Sequence, residues 1–133
     1  MKILIGCSTL DLRYRLGCTP SWWQLFKALH ETGNEVIVIP YLGDPVESLW
    51  WRTYPNPCAF ESKLYNRYLE KRQNTGKISP NSAKTESLLN RFSETYVRAR
   101  WEKHVITILE REKNVDALLF INIPLNHIKG IAS

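Results

Sequence analysis

A chain of 133 residues with 44% hydrophobic and 11% aromatic content suits one domain with a buried core. No run approaches the roughly 20 apolar residues that cross a bilayer, and the opening Met1-Lys2-Ile3-Leu4-Ile5 is too short for a signal peptide, so a cytoplasmic protein without a transmembrane segment is expected. The net charge of +5 forms no basic stripe, because Lys and Arg are interleaved with Glu from Glu86 to Lys113, so nucleic-acid binding is not expected.

Lys2 to Ser8 is an apolar run ending in small residues, which predicts a buried parallel strand that gives way to a loop from Ser8 to Cys18. A helix start follows in two possible registers. Either Thr19 caps with Pro20 at the first helical position, or Ser21 and Gln24 form a capping box. Trp22, Leu25, Phe26 and Leu29 then fall on one apolar face, and Gly33-Asn34 supplies the stop. Glu35 to Ile39 is a β-branched run closed by Pro40, so the first forty residues read as a right-handed strand-helix-strand unit.

Tyr41 to Pro57, punctuated by Gly43, Pro45, Pro55 and Pro57, reads as an ordered loop. Its Trp50, Trp51 and Tyr54 suit either stacking on a sugar or base, or plugging the end of a core. Glu61 to Arg72 predicts a helix, and Gln73 to Ser82 a flexible loop. From Ala83 to Lys113 the apolar residues Leu88, Leu89, Phe92, Tyr96, Ala99, Val105, Ile108 and Leu109 recur near the helical period, which predicts one long helix. The run Ala117-Leu118-Leu119-Phe120-Ile121, between Asp116 and Pro124, reads as a third parallel strand buried on both faces.

The expected fold class is therefore α/β: a Rossmann-like three-layer α/β/α unit with a short parallel sheet in strand order 2-1-3. Three parallel strands are few, so the chain reads as an incomplete domain whose exposed sheet edges favour a homodimer or a covering continuation. In such sheets ligands bind beyond the carboxyl ends of the strands. That rule groups Ser8, Arg13, Arg15, Thr19 and Ser21 from the first loop, Asp44 after the second strand, and Asn122 and His127 after the third, as candidate substrate-binding residues.

Arg13 and Arg15 precede a helix N-terminus whose N–H groups, with the Thr19 and Ser21 hydroxyls, favour a phosphate or carboxylate; equally, the hydroxyls serve as caps and the arginines lie in solvent. Asp44 stands where an acidic residue meets a ribose, and Gly43-Asp44-Pro45 is also good turn chemistry. His127 is a candidate general base with Asn122 orienting a hydroxyl, although neither has a partner in the sequence that assigns it a role. Gly6 and Gly17 are too far apart for a dinucleotide fingerprint, and no P-loop pattern occurs. Cys7, Cys18 and Cys58 form no C-x-x-C pair, and His30 and His104 lack neighbours at ligand spacing, so no metal, redox centre or disulfide framework is expected, and no cofactor is assigned.

The opening Met1-Lys2-Ile3-Leu4-Ile5-Gly6, the helix start Thr19-Pro20-Ser21-Trp22-Trp23-Gln24-Leu25 and the step Leu29 to Val36, of the form L-x-x-x-G-[HN]-x-V, resemble the first unit of GT-B glycosyltransferases. The long helical insert before Asp116-Ala117-Leu118-Leu119-Phe120-Ile121 is similar to the spore-maturation (CgeB-like) branch. The resemblance implies an N-terminal, acceptor-binding domain of a two-domain enzyme, with the nucleotide-sugar donor held chiefly by a C-terminal domain. By the same resemblance this unit is inactive alone, its acceptor and donor sugar unspecified. The sequence also suits a stand-alone flavodoxin-like module that binds a small ligand without catalysis; paired acidic residues after the first strand, which a receiver needs, are replaced here by Cys7-Ser8.

Overall fold

The computed structural model describes residues 1–9, 20–61, 63, 64, 67, 80–123 and 128–132. Strand β1 (Lys2–Thr9) runs through the centre of a four-stranded parallel sheet and pairs with β2 (Glu35–Leu42) on one side and β4 (Ala117–Ile121) on the other. A two-residue strand, β3 (Arg52–Thr53), adds to the outside of β2, giving the order β3-β2-β1-β4. The sheet thus differs from the expected 2-1-3 by this extra strand, which lies in the stretch read as loop. Two residues are too short to show a period of two, and β3 exists because Ile37 and Val38 offer it a free edge.

Successive side chains of β1 point to opposite faces, and each face has its own core. Ile3, Ile5 and Cys7 join Val36, Val38, Trp51 and Phe26 of helix α1 (Ser21–Glu31). Leu4 joins Ile37, Ile39 and Tyr41 against Val97, Trp101, Val105 and Ile108 of the long helix Pro80–Glu112. Helices therefore cover both faces of the parallel sheet, and the chain is α/β in class. Gly6 is where the second core comes closest to the backbone: a Cβ there would stand 2.7 Å from Phe120 Cδ1 and 3.1 Å from Trp101 Cη2. A side chain at this point would displace the packed aromatic pair.

Helix α1 takes neither predicted capping register. Pro20, at φ −56° and ψ 144°, is the residue flanking the helix; its carbonyl accepts from Trp23 N–H and Gln24 N–H, and no side chain caps the start. Ser21 is the first helical residue. The C-terminal stop is as read: Gly33 adopts φ +86°, which costs glycine nothing, and Asn34 Nδ2 and the Thr32 hydroxyl both donate to Leu29 C=O.

Pro40 does not end β2. Glu35 N–H donates to Met1 C=O, so with a period of two the Pro40 nitrogen faces away from β1, beyond the end of β3, and no ladder donor is lost. The buried Trp101 Nε1–H donates to its carbonyl at 3.1 Å and satisfies that group as well.

Residues 59–61, 63, 64 and 67 are helical, so the helix predicted from Glu61 begins two residues earlier. The long helix begins at Pro80, not Ala83, with proline at a first-turn position that needs no N–H. Residues 80–82 of the predicted flexible loop therefore belong to that helix, and 73–79 lie outside the described residues. A short helix, Lys129–Ala132, follows β4, with Ile128 and Ile131 packed against the long-helix core. Trp51 is buried at 4% exposure among Phe26, Trp22 and Trp23, and its Nε1–H donates to Val46 C=O, so of the two readings of this residue the structure takes the core plug. No described helix is long and apolar enough to cross a membrane.

Candidate functional site

The connections leaving the sheet decide where a ligand fits. From β1 the chain passes through α1 to β2 on one side; from β2 it passes through the long helix to β4 on the other, skipping β1. The two crossovers lie on opposite faces, so the strand order reverses between β1 and β4. In an open parallel sheet such a reversal marks the place where ligands bind, beyond the carboxyl ends of the strands.

Among the predicted residues, register places the described ones at that edge. Cys7 pairs with Ile121, so Ser8 and Asn122 are the next residues along neighbouring strands. Thr9 pairs with Leu42, so Gly43 and Asp44 emerge on the other side of β1. Ser8 is half-buried, and Asn122 is exposed at φ +57°, a left-handed conformation that asparagine tolerates better than most residues. Ser21 is exposed at the α1 N-terminus, where the helix dipole and the lack of a side-chain cap favour negative charge. Asp44 is 62% exposed and ion-paired with Lys63 at 3.0 Å. Beside it, the buried Asn56 donates from Nδ2 to Gly43 C=O and accepts from Cys58 N–H through Oδ1, which ties the loop after β2 to the following helix. Arg13, Arg15, Thr19 and His127 lie outside the described residues. Among the described residues no group of three His, Cys, Asp or Glu side chains stands close enough to hold a metal ion.

At the opposite, amino edge stands a charged cluster that sequence reasoning missed. The Glu112 carboxylate, its side chain only 7% exposed, receives Arg52 Nη1 and Nη2 at 2.8 Å each, the Tyr54 hydroxyl, and Lys2 Nζ at 3.4 Å. Lys2 Nζ also donates to the Glu112 carbonyl at 3.0 Å, and Arg52 Nη2 reaches Glu35 at 2.9 Å. The Arg52 hydrogen bonds, followed by that of Tyr54, pull the Glu112 carboxyl down to about 2. The same carboxylate raises Arg52 and Tyr54 above their ordinary values. A glutamate at a helix C-terminus is repelled by the helix dipole, so it persists here because cations from β1 and β3 meet it.

These partners lie 58 to 110 residues from Glu112 in the chain. The one sequence signal was that charges open β1 and β2, where Lys2 and Glu35 pair in register. Each carboxylate oxygen of Glu112 already has two donors, so the cluster's hydrogen bonds are used in holding the fold.

No protein-family model matches the chain, and no curated protein or solved structure matches it.

Proposed function

We propose that this chain is the acceptor-side domain of a nucleotide-sugar-dependent glycosyltransferase, with the acceptor held at the carboxyl edge of β1 and β4. The observation that supports this reading is the reversal of strand order between β1 and β4, with the polar Ser8 near the end of β1 beside Asn122 just past β4. A hydroxyl and a carboxamide together offer donors and acceptors to a neutral, hydroxylated molecule. Ser21 and the open N-terminus of α1 add a place for a negatively charged group. The donor nucleotide-sugar is assigned to a second domain, in keeping with the resemblance of β1, α1 and the Leu29–Val36 step to GT-B enzymes.

The test is an amide-resolved NMR titration of this chain with simple saccharides, free nucleotides and nucleotide-sugars. In parallel, calorimetry follows the same ligands with any longer product of the gene. Saccharide-induced shifts confined to Ser8, Ser21, Asp44 and Asn122, with nucleotide-sugar bound by the longer product alone, are the expected result. Tight nucleotide binding by the chain itself would replace this reading with a stand-alone flavodoxin-like binding module. No shift at this edge with any ligand would overturn both.

A further inference from the structure

We propose that a second copy of the chain pairs with β4 across a two-fold axis at Leu119, joining the two sheets edge to edge. The sequence Ala117-Leu118-Leu119-Phe120-Ile121 has the composition of a strand covered on both faces and both sides, yet β4 is the last strand of the sheet. Leu118 and Leu119, which point to opposite faces, are each 37% exposed. The other end of the sheet is guarded: β3 has two residues, carries the charged Arg52 and is followed by Pro55. Strand β4 has no charge, no proline and no bulge among its five residues.

The hydrogen-bonding groups specify the partner. Glu35 N–H donates to Met1 C=O, so the odd residues of β1 face β2, and Lys2, Leu4 and Gly6 face β4. With Ile3 in register with Ala117, the backbone groups of Ala117, Leu119 and Ile121 turn toward β1 and those of Leu118 and Phe120 outward. Among the described residues nothing pairs with that outer row. The middle residue, Leu119, thus lies between the two outward ones. A two-fold axis at Leu119 sets Leu119 against Leu119 of the second copy, and Ala117 against its Ile121 in both directions. Leu118 against Phe120 of the second copy, in both directions, gives two hydrogen-bonded antiparallel pairs with two bonds each, about four in all, and leaves no outward group of the strand unmatched.

The side chains agree with this register: Leu118 meets Phe120, and the flanking Asp116 meets Asn122, so the one charge beside the strand never faces its own copy. A symmetric contact of this kind is closed and stops at two. A five-residue strand contact is smaller than a standard interface, so the dimer forms reversibly and depends on concentration.

Sedimentation velocity of the chain over about a hundredfold range of concentration should show a monomer–dimer equilibrium. Leu119→Lys places two like charges on the axis and should weaken association by about tenfold or more, with unchanged far-UV circular dichroism. Should that variant unfold, Leu119→Cys decides. Residues facing across a non-hydrogen-bonded antiparallel pair lie about 4.5 Å apart at Cα, within the span of a disulfide. Mild oxidation should therefore cross-link L119C into dimers well above the wild-type background. A wild-type chain that stays monomeric throughout overturns the proposal. So does a dimer that persists in folded L119K, or a folded L119C that fails to cross-link.

Discussion

The two edges of the sheet are built on opposite plans. At the amino edge Lys2, Glu35, Arg52, Tyr54 and Glu112 use one another, and the end of the long helix is locked to the first residues of β1 and β3. At the carboxyl edge Ser8, Ser21 and Asn122 take part, among the described residues, in no side-chain hydrogen bond or ion pair, and only Asp44 is matched with a cation. The difference teaches where to look for binding. Polar groups that satisfy each other hold the fold, and groups left open to solvent beyond a parallel sheet remain available to a ligand.

The strongest way to break the comparison is to remove what both edges rest on. Trp101 is fully buried between β2 and Phe120, and Trp101→Ala opens a large cavity and leaves the Pro40 carbonyl without its donor. A loss of about 3–5 kcal/mol in urea unfolding is expected, with both edges lost together.

Next in size is the amino edge alone. Glu112→Ala strands Arg52, Tyr54 and Lys2, and a loss of about 2 kcal/mol is expected, moderated because Arg52 is half exposed. The same carboxylate sets a pH dependence. Its folded value of about 2 lies below the ordinary 4.5, so the unfolded chain takes up the proton first as pH falls. The contribution is complete above pH 4.5 and is lost as pH falls toward 2. Urea titrations across this window should show a steeper decline for the wild type than for Glu112→Gln. Equal slopes would remove Glu112 from the account.

A smaller effect tests whether the outer part of that cluster matters. Glu35 is half exposed and shares Arg52 with Glu112, so Glu35→Gln should cost under about 0.5 kcal/mol and less still at high salt. A larger loss would show that Glu35, and not only Glu112, holds Arg52 in place.

The smallest effect on stability, and the sharpest on function, belongs to the carboxyl edge. Asn122 sits at φ +57°, so Asn122→Gly should change stability by no more than about 0.5 kcal/mol. Loss of its carboxamide should weaken the saccharide-induced shifts about tenfold if it contacts the ligand. Glu112→Gln should leave those shifts unchanged, since the two edges share no residue.

Much of the fold was legible because it is written locally. The apolar runs of β1, β2 and β4, the face of α1 and its Gly33 stop follow from periods and turn chemistry within a few residues. The places of Asp44 and Asn122 were legible for the same reason, since a parallel sheet sets the residues after its strands at one edge; Ser8, read as the first loop residue, lies inside β1, which runs on to Thr9. Local pattern also overreached. The turn-rich stretch from Tyr41 to Pro57 concealed β3, Pro40 was read as a terminator, and Thr19 or Ser21 was expected to cap α1 where Pro20 flanks it without a side-chain bond.

By itself, the sequence determined the class of the molecule, the succession of strand, helix and strand, and the polar residue that follows β4. Only the tertiary structure decided that Arg52 and Tyr54 meet Glu112 across some sixty residues, that Trp101 completes Pro40, and that a strand composed for the interior stands at the edge. Periodicity and capping act over a single turn or pleat and so leave a mark in adjacent residues. Ion pairs, aromatic packing and the neighbours of an edge strand depend on which distant segments the closed chain brings together, and no short window of sequence records that.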